Sequence, residues 1–431
     1  METSSTLSRR GAEIAAKSIR DLFKSILKDP YDEKKNPNGF VNMGVAENYC
    51  MVSEVAAFTN SHLGFTKLDF TYGEGPWGTS RLRKAMAAHM TKYFNAISPV
   101  DPEDILVASG VTSLCEMLGF TIADPGDGVL FTRPIYQAFE PDFGLRAGVK
   151  PVFTSFEGID LFSTGCIAKY EDALRAAEAE GTKIRALMLC NPHNPLGACY
   201  PKQTIIAIMQ FCQKHRLHLL ADEIYATSVY EVDDPNAVAF TSVLSFDTAP
   251  YIDTDLVHVI YGMSKDFAGG GLRLGMMLIR NKELMGAMGA VTQFGWAGLP
   301  SQEIAATMLE NEEWLASFIQ TSQKTLSARN ALCRSILDSK GIKYQPGSNA
   351  GFFLWIDLSP WLKPSGPDTE YKDAWEAEDA LTKSLVEGGV FINGGKSLSS
   401  DTPGRFRIIF SHPEASLHEG FARLFKVLGI K

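Results

Sequence analysis

The chain has 431 residues, 45% of them hydrophobic, and a formal net charge of −9. At about 100–200 residues per domain, this length predicts more than one domain and a large buried core. The acidic balance speaks against a nucleic-acid partner, and with no run of about 18 consecutive apolar residues to span a membrane, the expectation is a soluble cytoplasmic protein that binds a small molecule.

Residues 1–40 are polar, with a helical stretch near Ala12–Leu27 followed by the loop DPYDEKKNPNG, and read as an N-terminal arm without the apolar core of a secretory signal. From about Asp104, apolar strands alternate with helical stretches: ILVAS, a helix through Leu114–Ile122, GVLFTRP, PVFTS, IRALMLCNP, HLLADEIY, LVHVIYG and GMMLIRN. This alternation predicts a mostly parallel sheet covered on both faces. Helical patterns resume from Ser301 to Lys340, followed by a strand at GFFLWIDL, a helix around Ala374–Gly388 and a final strand at RFRIIFS, as in a smaller α+β domain. The predicted division is an arm (1–40), a large α/β domain (41–310) whose first part can contribute to the smaller domain, and a C-terminal α+β domain (311–431).

Ligands of parallel sheets bind beyond the carboxyl ends of the strands. Four predicted strand ends run into polar or small residues that could converge: Ser109-Gly110-Val111-Thr112, Asn191-Pro192-His193-Asn194, Asp222-Glu223-Ile224-Tyr225 and Ser264-Lys265. A lysine is ordinarily a solvated surface charge, but one at the end of the apolar strand VHVIY could be desolvated enough to supply the free amine a Schiff base needs. Arg273, just past Gly269–Gly271, could offer a forked donor pair to a phosphate. ASGVTS is either an ordinary N-cap or an anion site built from helix-start amides and the Thr112 or Ser113 hydroxyl. Asp222 either caps the next helix or holds a proton on a heteroaromatic nitrogen, with Asn194 and Tyr225 as neutral donors near a ring oxygen. The seven cysteines are scattered, show no C-x-x-C spacing, and read as reduced thiols, mostly in the core; no metal site is expected.

The ordered set ASGVT, Pro134-x-Tyr136, NPHNPLG (191–197), ADEIY (221–225), Ser264-Lys265, GLRLG (271–275) and GRFRIIF (404–410) resembles the fold type I pyridoxal-phosphate enzymes of the class I/II aminotransferase group over residues 40–430. MGVAENYC (43–50), ADPGDGVLFTRPIYQAF (123–139), CNPHNPLGA (190–198) and YGMSKDFAGGGLRLG (261–275) narrow the likeness to the 1-aminocyclopropane-1-carboxylate synthase family. The resemblance implies a three-layer large domain on a mostly parallel seven-stranded sheet, a smaller α+β domain, pyridoxal 5′-phosphate as cofactor, an amino-acid substrate and a homodimer. It also implies roles. Lys265 forms the Schiff base and shuttles the α-proton; Asp222 pairs with the pyridine nitrogen; Tyr225 and Asn194 bond the ring hydroxyl oxygen; Tyr136 stacks on the ring. Arg273, Ser264 and the Val111-Thr112 turn lie at the phosphate, and Tyr72 reaches the cofactor and substrate of a neighbouring subunit. Arg407 grips the substrate α-carboxylate, and Glu47 sits near Cγ, where a carboxylate attracts a sulfonium such as that of S-adenosylmethionine.

Some positions depart from the family pattern. Gly262 stands where Ser-x-Ser-Lys has its first serine, so one phosphate hydroxyl is missing; YGEGPWGTSRLR carries extra residues between Tyr72 and Arg83; Gly394 replaces a preferred proline, and Lys396 adds a charge expected near the substrate side. FGWAGLPSQ (294–302) also differs from the family form. Three functions follow: a lyase that eliminates methylthioadenosine from S-adenosylmethionine and closes a cyclopropane ring, or related Cγ chemistry; an aminotransferase using a 2-oxo acid; and a non-catalytic module that keeps the fold.

Overall fold

The computed structural model describes residues 6–16, 24, 29–366 and 370–431. Of the helical stretch expected near Ala12–Leu27, Arg9–Ala15 forms a helix that Ser8 caps by accepting from the Gly11 N–H, whereas 17–23 and 25–28 lie outside the described residues.

Seven strands form the central sheet: β1 (Ile105–Ala108), β2 (Gly128–Thr132), β3 (Lys150–Thr154), β4 (Ile184–Cys190), β5 (His218–Asp222), β6 (Val257–Gly262) and β7 (Gly275–Ile279). Their order is β1-β7-β6-β5-β4-β2-β3, parallel throughout except that β7 runs antiparallel to β1 and β6. Each coincides with an apolar run read from the sequence; all but the partly exposed edge strand β3 are buried almost throughout, and a strand buried on both faces needs no polar alternation. In β6, Val257, Val259 and Tyr261 join one core while Ile260 points into the other. Helices such as Val111–Ile122, Cys166–Ala179 and Lys202–His215 cover the two faces.

A second, three-stranded antiparallel sheet is made of β8 (Phe353–Asp357), β9 (Asn393–Gly394) and β10 (Arg405–Ile409), with β10 in the middle. Arg407 therefore sits between Trp355 and Asn393. Val41-Asn42 pairs in parallel with Val390-Phe391, which carries the segment 43–49 across to this sheet. The helical pattern from Ser301 to Lys340 is two helices, Leu299–Glu310 and Glu312–Asp338. Asn311 leaves helical geometry (φ −85°, ψ 82°) and its side chain accepts from the Trp314 N–H at 3.1 Å, so one residue ends the first helix and caps the second. All seven cysteines are free, and six are buried. Among the described residues no helix is long and apolar enough to cross a membrane.

Candidate active site

The parallel strands β2 to β6 end on one edge of the sheet, and the chain beyond β1, β4, β5 and β6 opens a cavity of about 460 Å³ there. Val111, Thr112, Tyr136, Asn194, Asp222, Tyr225, Ser264, Lys265, Arg273, Arg407 and Glu47 all line it. Eleven of the twelve residues singled out in the sequence thus share one volume. The twelfth, Tyr72, stands 83% exposed on the surface, its ring 5.5 Å from that of Trp296.

Lys265 is half-buried, and its Nζ donates to the Ala46 carbonyl at 2.7 Å. Burial first, and then the Arg407 charge, bring its pKa down to about 8, so the free amine is accessible near neutrality. Asp222, at the end of β5, is 4% exposed. Its carboxylate accepts only a long 3.3 Å contact from the Ile224 N–H and faces the Cys190 thiol at 3.8 Å, and burial raises it to about 7. A buried carboxylate with such weak partners is matched to a cationic N–H.

Arg407 is 1% exposed, and its Nη1 and Nη2 donate to Asn194 Oδ1 (2.9 Å) and the Gly44 carbonyl (2.8 Å), while Nε finds no partner. Neither acceptor is an anion, so the guanidinium faces the cavity with its charge uncompensated. With its oxygen taken by Arg407, Asn194 turns its amide N–H₂ toward a ligand. Tyr225 is buried, its ring packed edge-on against Phe352 and Phe353. Tyr136 packs edge-on against Phe139 and is pushed up to about 12, chiefly by burial.

At the other end, Gly110 (φ +91°) precedes the helix Val111–Ile122, whose first amides have no carbonyl four residues back to bond. A Cβ on Gly110 would lie 2.7 Å from Arg273 Nη2, and one on Gly275 would lie 2.6 Å from the Val111 nitrogen. Two glycines therefore let the guanidinium lie against a helix start, a ready anion cradle. The turn that delivers Arg273 does not use the glycines for positive φ. Gly269–Gly271 keep negative φ, while Ala268 (φ 50°) and Arg273 (φ 51°) take the left-handed conformation. Gly269 is needed for space, since a Cβ there would meet the Met263 carbonyl at 2.9 Å.

Gly262 also has a steric reason: its Cβ would fall 2.7 Å from the Leu274 carbonyl oxygen, so a serine does not fit this strand end. Lys396 is a correction to the sequence reading. It lies on the surface paired with Asp379, and its neighbour Ser397 lines the cavity instead. Sequence reasoning missed Gln137, Asp142, Phe391 and Asn393 in the wall, and Tyr49, which is held above its ordinary pKa first by burial and then by the Glu47 carboxylate. Asp266, next to Lys265, was missed too. It accepts from the Thr227 N–H (2.8 Å), Ser228 Oγ (2.6 Å) and Tyr261 Oη (2.8 Å), tying the lysine turn to the segment after Tyr225.

The profile of the family "Aminotransferase class I and II" matches residues 42–424. The tomato (Solanum lycopersicum) 1-aminocyclopropane-1-carboxylate synthase 2 is 29% identical over 422 residues, 95% of this chain and 84% of the relative. Two others are a mouse (Mus musculus) protein described as a probable inactive 1-aminocyclopropane-1-carboxylate synthase-like protein 2 (30%; 99% of this chain, 72% of the relative) and the Aspergillus fumigatus probable aminotransferase gliI (32%; 91% and 90%). Among solved structures, an aspartate aminotransferase double mutant from Thermus thermophilus superposes with a TM-score of 0.73 at 22% identity, covering 98% of this chain and 100% of that one.

Proposed function

Because the chain belongs to the class I and II aminotransferase family and its cofactor is pyridoxal 5′-phosphate, we propose that it removes the α-proton of an amino acid and then carries out chemistry at Cγ. The reading we favour is α,γ-elimination from S-adenosylmethionine, in which the Cα–H and Cγ–S bonds break, methylthioadenosine leaves and a Cα–Cγ bond closes the ring. The supporting observation is that Glu47 faces the same cavity as Lys265 and Arg407, close enough for its charge to act on the lysine.

The residues present fit the cofactor: a glycine-lined helix start with Arg273 for a phosphate, a buried and weakly partnered Asp222 for a pyridine N–H, and a lysine of lowered pKa for the aldehyde. When bound, the cofactor supplies an electron-withdrawing ring that stabilises negative charge at Cα. Asp222 holds the ring-nitrogen proton, and Tyr225 with the Asn194 amide holds the ring oxygen. Lys265 Nζ, whose lowered pKa leaves part of it as the free amine near neutrality, takes the α-proton. Arg407 orients the substrate through its carboxylate, which fixes which bond at Cα faces the lysine. Glu47 attracts a cationic group at Cγ. The exposed Tyr72 lies beside Trp296 and the exposed Phe294 adjoins Gly295, whose carbonyl accepts from the Ser109 N–H at 2.7 Å next to the phosphate edge; a second copy of the chain covers this surface in a homodimer.

An aminotransferase is the second reading, favoured by the 32% identity to the Aspergillus fumigatus protein. Incubation with S-adenosylmethionine, and separately with a panel of amino acids plus a 2-oxo acid, decides between them by mass spectrometry. Methylthioadenosine release supports the lyase; pyridoxamine phosphate and a new amino acid support the transferase. If neither appears and the purified protein shows no lysine-bound cofactor absorbance, the catalytic reading gives way to a non-catalytic module.

A further inference from the structure

The phosphate edge carries a feature outside the donors already named. The position three residues before Lys265 offers no hydroxyl, since Gly262 is closed by the Leu274 carbonyl. On the opposite wall, the short helix Phe139–Gly144 brings Asp142 into the cavity beside Thr112 and Arg273. Asp142 is half-buried; the neighbouring Thr112 hydroxyl and Arg273 guanidinium both pull its pKa down, Arg273 only through space, its Nη1 donating to the Gly270 carbonyl. No salt bridge to Asp142 occurs among the described residues. Its other titratable neighbours, Cys115 and Tyr136, are uncharged at neutral pH because burial raises both.

A carboxylate here borders the volume that the Thr112 hydroxyl and Arg273 offer to a phosphate. Two anions in contact do not both stay fully ionised; one proton is retained between them. We propose that Asp142 is a cofactor-binding residue which, as the neutral acid, donates its Oδ–H to a phosphate oxygen of pyridoxal 5′-phosphate and supplies the donor that Gly262 cannot. No bond other than this hydrogen bond forms, and the proton stays shared between the carboxyl and the phosphate. The site is already biased toward this state: desolvation, partly opposed by Thr112 and Arg273, raises Asp142 to about 7 before any phosphate is present. A phosphate dianion raises it further, so cofactor binding takes up a proton and weakens as pH rises above neutrality.

The test compares dissociation constants of pyridoxal 5′-phosphate and of pyridoxal, which lacks the phosphate, between pH 6.5 and 8.5, by fluorescence quenching of the cofactor-free protein. Taking the ratio of the two constants removes the lysine's own titration. Relative to Asp142→Asn, which keeps a donor but does not titrate, the wild-type ratio should rise with pH, by up to tenfold per unit. Equal pH dependence in wild type and Asp142→Asn overturns the proposal. Should that variant not fold, the ³¹P resonance of cofactor bound to wild type decides: a shift titrating above pH 6.5 supports the shared proton, and a constant dianion shift overturns it. The proposal rests on the phosphate lying at Arg273, which is checked separately. If Arg273→Gln leaves the affinity ratio unchanged, that placement fails, whatever Asp142 does.

Discussion

Replacing Arg407 by lysine is the sharpest test of how substrate is held. The guanidinium has five N–H donors, of which two are spent on Asn194 and Gly44, leaving Nε and one N–H on each terminal nitrogen for a carboxylate. Lysine keeps the charge but loses the fork. Each charge-assisted hydrogen bond is worth about 1.5–3 kcal/mol, so losing a bidentate pair costs about 3–6 kcal/mol. At 1.36 kcal/mol per factor of ten, kcat/KM for an amino acid falls about 10²- to 10⁴-fold. A stability loss accompanies this, about 1–3 kcal/mol for each of the two buried acceptors left without a donor. The assay therefore pairs each amino acid with the primary amine that lacks its carboxylate and follows the spectral change on substrate binding. The wild type should prefer the amino acid strongly, and Arg407→Lys should erase most of that preference while leaving the amine nearly unaffected. If the variant loses the amine and the amino acid equally, the guanidinium is structural and the reasoning about its uncompensated charge is wrong.

Two further outcomes follow from the same geometry. The folded Lys265 pKa lies near 8 instead of the usual 10.5, so the reactive free amine grows in as pH rises through about 8; the rate of cofactor capture, followed by absorbance, should have its inflection there, and an inflection near 10 would contradict the desolvation argument. Phe294 is 77% exposed and the Gly295 carbonyl beside it accepts from Ser109 N–H, so Phe294→Glu should shift the protein toward monomer in sedimentation and weaken cofactor binding several-fold; an unchanged dimer would move the interface elsewhere.

The strands of the central sheet were legible because all but the edge strand β3, whose Lys150 is exposed and next three residues only partly buried, lie almost wholly in the core and read as apolar runs, and the strand ends carried the polar residues that now line one cavity. The glycines were legible only as a need for space or freedom. The sequence does not say which residue takes the positive φ, and here it is Ala268 and Arg273 instead of the glycine cluster; Gly269 keeps an ordinary backbone and is required only because the Met263 carbonyl leaves no room for a side chain. Asp142 was invisible for a different reason. It lies in a six-residue helix with no motif around it, and only the packing of that helix against Val111–Ile122 turns its carboxyl toward Thr112.

This difference divides the site by what positions each group. Asp222 and Lys265 belong to the ends of β5 and β6, whose register is fixed by hydrogen bonds from Leu219↔Val257 to Asp222↔Ile260, so their relative placement follows from local pairing. Glu47, Phe391, Asn393 and Arg407 reach the same cavity from the other side, carried by the pairing of Val41-Asn42 with Val390-Phe391 and by β10. Their placement depends on contacts between segments more than 340 residues apart, such as the Asn393 amide on the Gly44 carbonyl at 3.1 Å. On the proposed roles, the cofactor-binding Asp222 and Lys265 are set by strand pairing in the sheet, whereas the walls facing the substrate are set by this long-range packing. Substitutions at Gly44, Asn393 or Phe391 should therefore change which amino acid reacts before they change whether the cofactor binds: a Cβ at Gly44 would strike the Phe391 ring at 2.4 Å and displace the wall without touching Asp222 or Lys265. If Gly44→Ala instead abolished cofactor absorbance while leaving substrate preference intact, that division of labour would not hold.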